Sequence, residues 1–291
     1  ITTHPEVVRA AIRLVKEAGG ICRVGDSPAS VVKQERVWER TGMRALCEEE
    51  GVELITLELG GVRHFRSERQ DFDIAQRVLD ADVVINLPKV KTHVLTSLTC
   101  AVKNIYGCVP GMAKAGLHKA YFNSADFGRV VASIYAEVRP ALTIADGVVG
   151  MTGNGPSSGQ VTPMGFVAVS ADGVALDRAI CRVLGMNPRA VPYLSVLRKR
   201  GVGQHDEDRI EVLGENPDTL LAGAVAMPNT LRSRLVPSWF GRIFAPLFWC
   251  RPVFNDHCVY CGLCVKTCPV DALTQEKGEK PILAPKQCIE C

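Results

Sequence analysis

The sequence predicts an α/β fold, a mainly parallel sheet flanked by helices, followed by a small cysteine-rich module. Three observations predict it. Helical and strand-like segments alternate repeatedly between positions 5 and 213 without a period-two hairpin region, the pattern of an open parallel sheet. Strand-like runs end in small polar loops, as at Gly25-Asp26-Ser27-Pro28. Half of the 12 cysteines lie at or beyond position 258.

In chain order, residues 5–18 carry Val7, Val8, Ala11, Ile12 and Val15 on one helical face, with Thr3 as the expected N-cap and Gly19-Gly20 as the stop. Residues 21–24 read as a strand and 31–50 as a helix broken near Gly42. A strand over 52–59, a helix over 72–79 and a strand over 82–87 follow. Residues 95–107 read as a helix, Lys114 and His118 fall in a loop, and 124–138 is helical again. A strand at 141–145 leads into a Gly-rich loop at 146–156. Strand 166–170, helices 174–184 and 193–200, and a last strand at 209–213 complete the domain. Residues 217–256 change character: Pro228, Pro237, Pro246 and Pro252 interrupt a run rich in Leu, Phe, Trp and Arg. A linker packed between domains explains them, with an amphipathic membrane-surface element as the alternative. The expected division is therefore 1–216, 217–256 and 257–291.

The cysteines carry the most specific signal. Cys258, Cys261, Cys264 and Cys268 with Pro269 follow C-x2-C-x2-C-x3-C-P, the spacing with which bacterial ferredoxins hold [4Fe–4S] clusters. Cys288-Ile289-Glu290-Cys291 reads as the start of a second copy. In such paired motifs Cys258, Cys261 and Cys264 share one cluster with the last cysteine of the second motif. Cys268 joins Cys288, Cys291 and a further cysteine on the other, so two clusters are expected in the full-length protein. Zinc is the competing reading of paired C-x2-C, weakened by the third cysteine and the C-P.

Composition excludes other classes. A net charge of +3 and 6% aromatic residues speak against nucleic acid, and no apolar run reaches the roughly 18–20 residues of a spanning helix. Scattered Cys22, Cys47, Cys100, Cys108, Cys181 and Cys250 read as buried thiols in a reducing compartment, the cytoplasm.

Lys89, Lys91 and His93 form K-x-K-x-H just past a strand, where open α/β sheets place ligands. Alternate residues of an extended segment face one way, so two ammonium groups beside an imidazole suit a carboxylate or phosphate. Lys103 and Asp146 are further candidates for a catalytic role, the latter ending a strand before the Gly-rich loop. Solvated lysines, a locally packed histidine and an Asx-turn aspartate are the plain alternatives. The 146–156 glycines match neither G-x-x-x-x-G-K-[ST] nor G-x-G-x-x-G.

The ordered motifs at 2–7, 25–28, 86–93, 102–111, 146–156 and 171–177 (the last Ala-Asp-Gly-Val-Ala-Leu-Asp) resemble the domain of unknown function 362 family over about residues 1–213. The resemblance implies a C-terminal ferredoxin module, which many members carry, but no mechanism. Members usually have a segment before the Thr2-Thr3-His4-Pro5 element and complete the second cysteine motif, so a chain cut at both ends is expected. The functional expectation is iron–sulfur electron transfer to a redox reaction on a small anionic molecule, with a redox partner protein. A non-redox enzyme with structural clusters, or a non-catalytic redox-partner or assembly subunit, are the alternatives.

Overall fold

A computed structural model of the chain describes residues 2–28, 34–67, 70–156, 158–221, 225–230, 252–268, 271–285 and 287–288. Helix α1 (Pro5–Glu17) buries Val8, Ala11 and Ile12. Its cap is His4, whose Nδ1 accepts the Glu6 N–H at 3.2 Å. Thr3, the expected cap, instead donates its hydroxyl to the Leu87 carbonyl at 2.7 Å and pins the helix to the sheet. Strand β1 (Arg23–Asp26) runs parallel to β2 (Glu53–Thr56). Between them lie α2 (Gln34–Thr41) and α3 (Met43–Glu49), parted at Gly42, whose φ of +75° no helix can continue.

Residues 72–79 depart from the expected helix. Strand β3 (Val62–Ser67) and β4 (Gln70–Ala75) form a hairpin, and only α4 (Gln76–Leu79) is helical. Phe72 stacks on its cross-strand partner Phe65 with ring centroids 5.5 Å apart, and Phe72 and Ile74 alternate with Asp71 and Asp73. That is a period-two pattern, and the partner strand decides its conformation.

The central sheet is built on β8 (Leu142–Asn154). Strand β9 (Ser158–Ser170) follows it antiparallel along its length, while β5 (Ile85–Asn86) and β6 (Lys89–His93) pair parallel with it. Strand β7 (Ser97–Thr99) returns antiparallel on β6. The fold is α/β, with parallel pairs at β1 with β2, β5 with β8 and β6 with β8; the hairpins supply the antiparallel share. The Gly-rich stretch is thus strand, not loop. Its glycines make room for neighbours: a Cβ on Gly147 would stand 2.4 Å from the Phe166 ring, and one on Gly150 2.6 Å from the Met164 side chain.

Helices α5 (Ala101–Asn104), α6 (Met112–Ala120), α7 (Ser124–Val138), α8 (Gly173–Val183) and α9 (Pro192–Lys199) complete the domain. Residues 95–107 therefore hold β7, α5 and a 3-10 turn rather than one helix, and Lys114 and His118 lie on α6 rather than in a loop. Phe127, Val130, Ile134, Val174, Ile180 and Leu197 lie in the largest core cluster, fully or almost fully buried. Residues 209–213 form no strand. Near the C-terminus come α10 (Leu263–Thr267) and the small ladder of β10 (Leu273–Thr274) with β11 (Ile282–Leu283). Most of the expected linker, including its Trp and Phe cluster, lies outside the described residues. No helix among the described residues is long and apolar enough to cross a membrane.

Candidate functional site

Strand β6 sets Lys89, Lys91 and His93 at alternate positions, and its register against β8 shifts between Lys89 and Lys91. Lys89 is committed to Asp146: Nζ lies 2.5 Å from Oδ2, with 6% and 0% of the side chains exposed. Asp146 also accepts the His4 N–H at 2.8 Å and the Val148 N–H at 3.1 Å. Burial alone would raise the Asp146 carboxyl. The donors from Lys89, His4 and Val148 outweigh it and hold the group below the ordinary carboxylate range. This pair bridges α1, β6 and β8.

Lys91 and His93 lead elsewhere. The Nδ1 atom of His93 accepts the Leu95 N–H at 3.0 Å and the Thr96 N–H at 3.3 Å, so its neutral ring carries the proton on Nε2. Burial, then the charges of Lys103, His118 and Lys91, hold its pKa well below the usual histidine value. Lys91, half-buried, is also held low by burial, with Lys89 adding to the effect and Asp26 opposing it. Directly across the ladder from Lys91 stands Thr99, whose buried Oγ1 has no hydrogen-bond partner among the described residues.

Lys103 comes from α5, which Asp177 on α8 positions. The Asp177 carboxylate accepts the Ala101 N–H at 2.7 Å and the Val102 N–H at 3.1 Å, two donors that a helix start leaves open. Full burial still lifts Asp177 to about 6 against those bonds. The Lys103 ammonium lies 5.6 Å from the Tyr106 ring centre and 5.8 Å from that of Phe127. Among the described residues no carboxylate stands within ion-pair distance of it. Burial, reinforced by Lys91 and Lys114, brings its pKa down to about 7.

Helix α6 adds two groups. Lys114 donates to the Ser27 carbonyl. Burial holds its pKa down, with Asp26, Glu58 and Cys108 opposing. His118 stacks on Phe127 at 4.2 Å and meets Tyr106 edge-on at 5.3 Å; burial and then Lys103 push it down to about 3. Lys91, His93, Lys103, Lys114 and His118 thus form one basic cluster in which His93, Lys103 and His118 are depressed by the charges of their neighbours. Glu58, on its border, is occupied by the Ser27 and Thr56 hydroxyls and the Gly111 N–H. The structure brings Lys91, His93 and Lys103 together and sets Lys89 with Asp146 apart as a closed pair.

The described cysteines of the C-terminal motif contrast with the core ones. Cys47, Cys100 and Cys181 are buried, whereas Cys261 is exposed and Cys258, Cys264, Cys268 and Cys288 are half-buried. Tyr260 at φ +56° and Gly262 at φ +68° turn the chain between the first three, and the Ala272 N–H donates to the Cys268 Sγ at 3.2 Å. Closely spaced cysteines and an N–H···S bond are a donor set that fits an iron–sulfur cluster. Among the described residues no three His, Cys, Asp or Glu side chains converge on one metal-ion position; a cubane takes each thiolate on a separate iron, so its ligands are spread. Cys291 lies outside the described residues.

The model of the family described as domain of unknown function (DUF362) matches residues 1–182. The chain belongs to the DUF362 family. A second match, to the 4Fe-4S binding domain, covers residues 252–274, which hold Cys258, Cys261, Cys264 and Cys268, and stops short of Cys288. This DUF362 protein therefore carries a 4Fe-4S binding domain, with one such motif matched. A thylakoid-associated protein of Synechocystis sp. is 33% identical to it over 245 residues, covering 79% of this chain and 75% of that protein. No solved structure matches.

The DUF362 match spans both the basic cluster and the pair of Lys89 with Asp146. Two residues of the site carry no role in the sequence reading, although Asp177 closes the motif at 171–177. Asp177 had a signal: it interrupts the apolar stripe of α8, three residues from Val174 and Ile180. Thr99 had none beyond its register opposite Lys91, which only the folded ladder supplies.

Proposed function

We propose that this DUF362 protein transfers electrons through its iron–sulfur module to a redox reaction on a small anionic molecule, bound by Lys91, His93 and Lys103. One observation carries the reading: the buried Lys103 ammonium feels the charges of two lysines and, among the described residues, of no carboxylate. Burying like charges together costs several kcal/mol, on the order of the depressed lysine values seen here. An anion bound among them offsets that cost. The Nε2–H of His93 supplies a neutral donor to the same ligand. Lys89 with Asp146 acts as the brace that fixes β6, rather than as a contact group.

A bound [4Fe–4S] cluster supplies single electrons. Cys258, Cys261 and Cys264 would hold it, with Cys268, Cys288 and Cys291 belonging to a second cluster in the full-length protein. The division at 1–216, 217–256 and 257–291 separates the anion site from this module, and a redox partner protein delivers or removes the electrons. Cys22, Cys47, Cys100, Cys108 and Cys181 of the α/β domain are free thiols, in keeping with a cytoplasmic setting, whereas the relative is named as thylakoid-associated.

The test uses anaerobically purified protein. Electron paramagnetic resonance should show a signal that dithionite brings up, and calorimetry should show binding of lactate or phosphate that Lys91→Ala weakens. A protein with no reducible signal is not an electron carrier, and one that binds neither anion has no anion site.

A further inference from the structure

The basic cluster has a second property, in Lys103, an amine with no carboxylate at ion-pair distance among the described residues. Lys103 sits on a helix whose start is clamped by Asp177, so its stem is held in place. Its Nζ packs over Tyr106 and Phe127, whose second neighbour is the neutral ring of His118. Lys91 on β6 and Lys114 on α6 bring two further positive charges to bear on it. Lys114 is held by the Ser27 carbonyl and feels the charges of Asp26 and Glu58, whereas no acid figures among the influences on Lys103. An amine desolvated against aromatic rings and crowded by cations loses its proton easily, which is how enzymes prepare a lysine nucleophile.

We infer that Lys103 forms a Schiff base with a small carbonyl compound that also bears a carboxylate. This rests on the anion site proposed above and names its substrate class. The carboxylate meets Lys91, and the Thr99 hydroxyl and the His93 Nε2–H offer hydrogen bonds to the carbonyl oxygen. The Lys103 nitrogen adds to the carbonyl carbon, forming a C–N bond and a carbinolamine. The C–O bond then breaks, and both amine hydrogens leave with the oxygen as water. No electrons are exchanged, so the step needs no oxidant or reductant. The burial that discourages an ammonium at Lys103 keeps the free amine populated near pH 7.

The test is reductive trapping on the intact, anaerobic protein. Pyruvate is the probe, sodium cyanoborohydride delivers hydride to the imine carbon, and peptide mapping by mass spectrometry locates the carboxyethyl group. Labelling of Lys103 should exceed that of the exposed Lys277 by roughly tenfold or more at pH 7, since burial populates the free amine of Lys103 there and Lys91 holds the carboxylate of the probe beside it. Lactate, a carboxylate without the carbonyl, should protect Lys103. Lactate binding by calorimetry with no excess label on Lys103 overturns the Schiff base and leaves the anion site standing. Binding of neither lactate nor pyruvate overturns both. Because the decisive comparison is made within the wild-type protein, it does not depend on a variant that folds.

Discussion

Removing one charge of the pair formed by Lys89 and Asp146 should be among the most damaging single changes in the domain. Asp146→Asn deletes the buried anion and strands the Lys89 ammonium, of which 6% is exposed. Breaking a buried pair from one side costs about 3–5 kcal/mol. The amide oxygen can still accept from the His4 or Val148 N–H, but its NH2 group offers no acceptor to the other donors. Lys89→Met leaves the carboxylate with two backbone donors, so its cost should lie near the lower end, about 3 kcal/mol. In Lys89→Met with Asp146→Leu no charge is stranded, and the double variant should lose at least about 1 kcal/mol less than the sum of the single losses. Because the Asp146 carboxyl is held below its ordinary value of 3.8, its contribution is complete above that pH. It is lost as pH falls through the depressed value, so wild type and Asp146→Asn should converge in acid. Urea denaturation at neutral and acid pH, with hydrogen exchange across α1, reads all of this. A cost under about 1 kcal/mol for Asp146→Asn, or additive single losses, would refute the bracing role.

Four further outcomes are expected. Lys103→Met should raise stability at pH 7: the drop from 10.5 to about 7 sets a ceiling of about 5 kcal/mol, and the gain should shrink as pH climbs towards 10.5, where the unfolded lysine also loses its proton. Denaturant melts at the two pH values measure it, and a gain that grows with pH contradicts the burial argument. Thr99→Val should leave stability unchanged or raise it by about 1 kcal/mol, since the hydroxyl it removes is buried without a partner; calorimetry should show weaker lactate binding. Gly128→Ala would put a Cβ 2.6 Å from that of Pro192, and thermal melts should register about 1–3 kcal/mol of overpacking between α7 and α9. Cys264→Ser should lower iron and sulfide content together and remove the resonance signal of the cluster assigned to Cys258, Cys261 and Cys264, while lactate binding in the α/β domain persists.

The helices whose stripes and caps lie within a few residues were legible in the sequence. Helices α7, α8 and α9 follow their apolar periodicity, and α1 ends before Gly19-Gly20 as its composition requires. Misreadings arose where a distant partner decides. Phe72, Ile74, Val78 and Leu79 satisfy a helical pattern as well as a strand, and Phe65 on the facing strand settles the first part. Residues 209–213 have strand-like composition, yet they join no ladder. The glycines at 147 and 150 suggested a loop because the Phe166 and Met164 side chains that fill their space come from β9. The same division holds at the site. The alternation of Lys89, Lys91 and His93 is local and could be read directly. That Lys103 joins them depends on Asp177, about 75 positions away along the chain, a separation given by the hydrogen bonds from Ala101 and Val102.

The bond from the His4 N–H to Asp146 spans 142 positions. It couples the cap of α1 to a strand that the ribosome delivers much later. Helix α1 can form early, since its turns are local, but its cap residue finds its acceptor only once β8 has emerged. Until then the nascent domain has neither its Asp146 brace nor the β8 partner on which β6 aligns. Assembly of the basic cluster is thus deferred to a late, cooperative closure of high contact order, and the buried lysines are not driven together before the sheet that positions them exists.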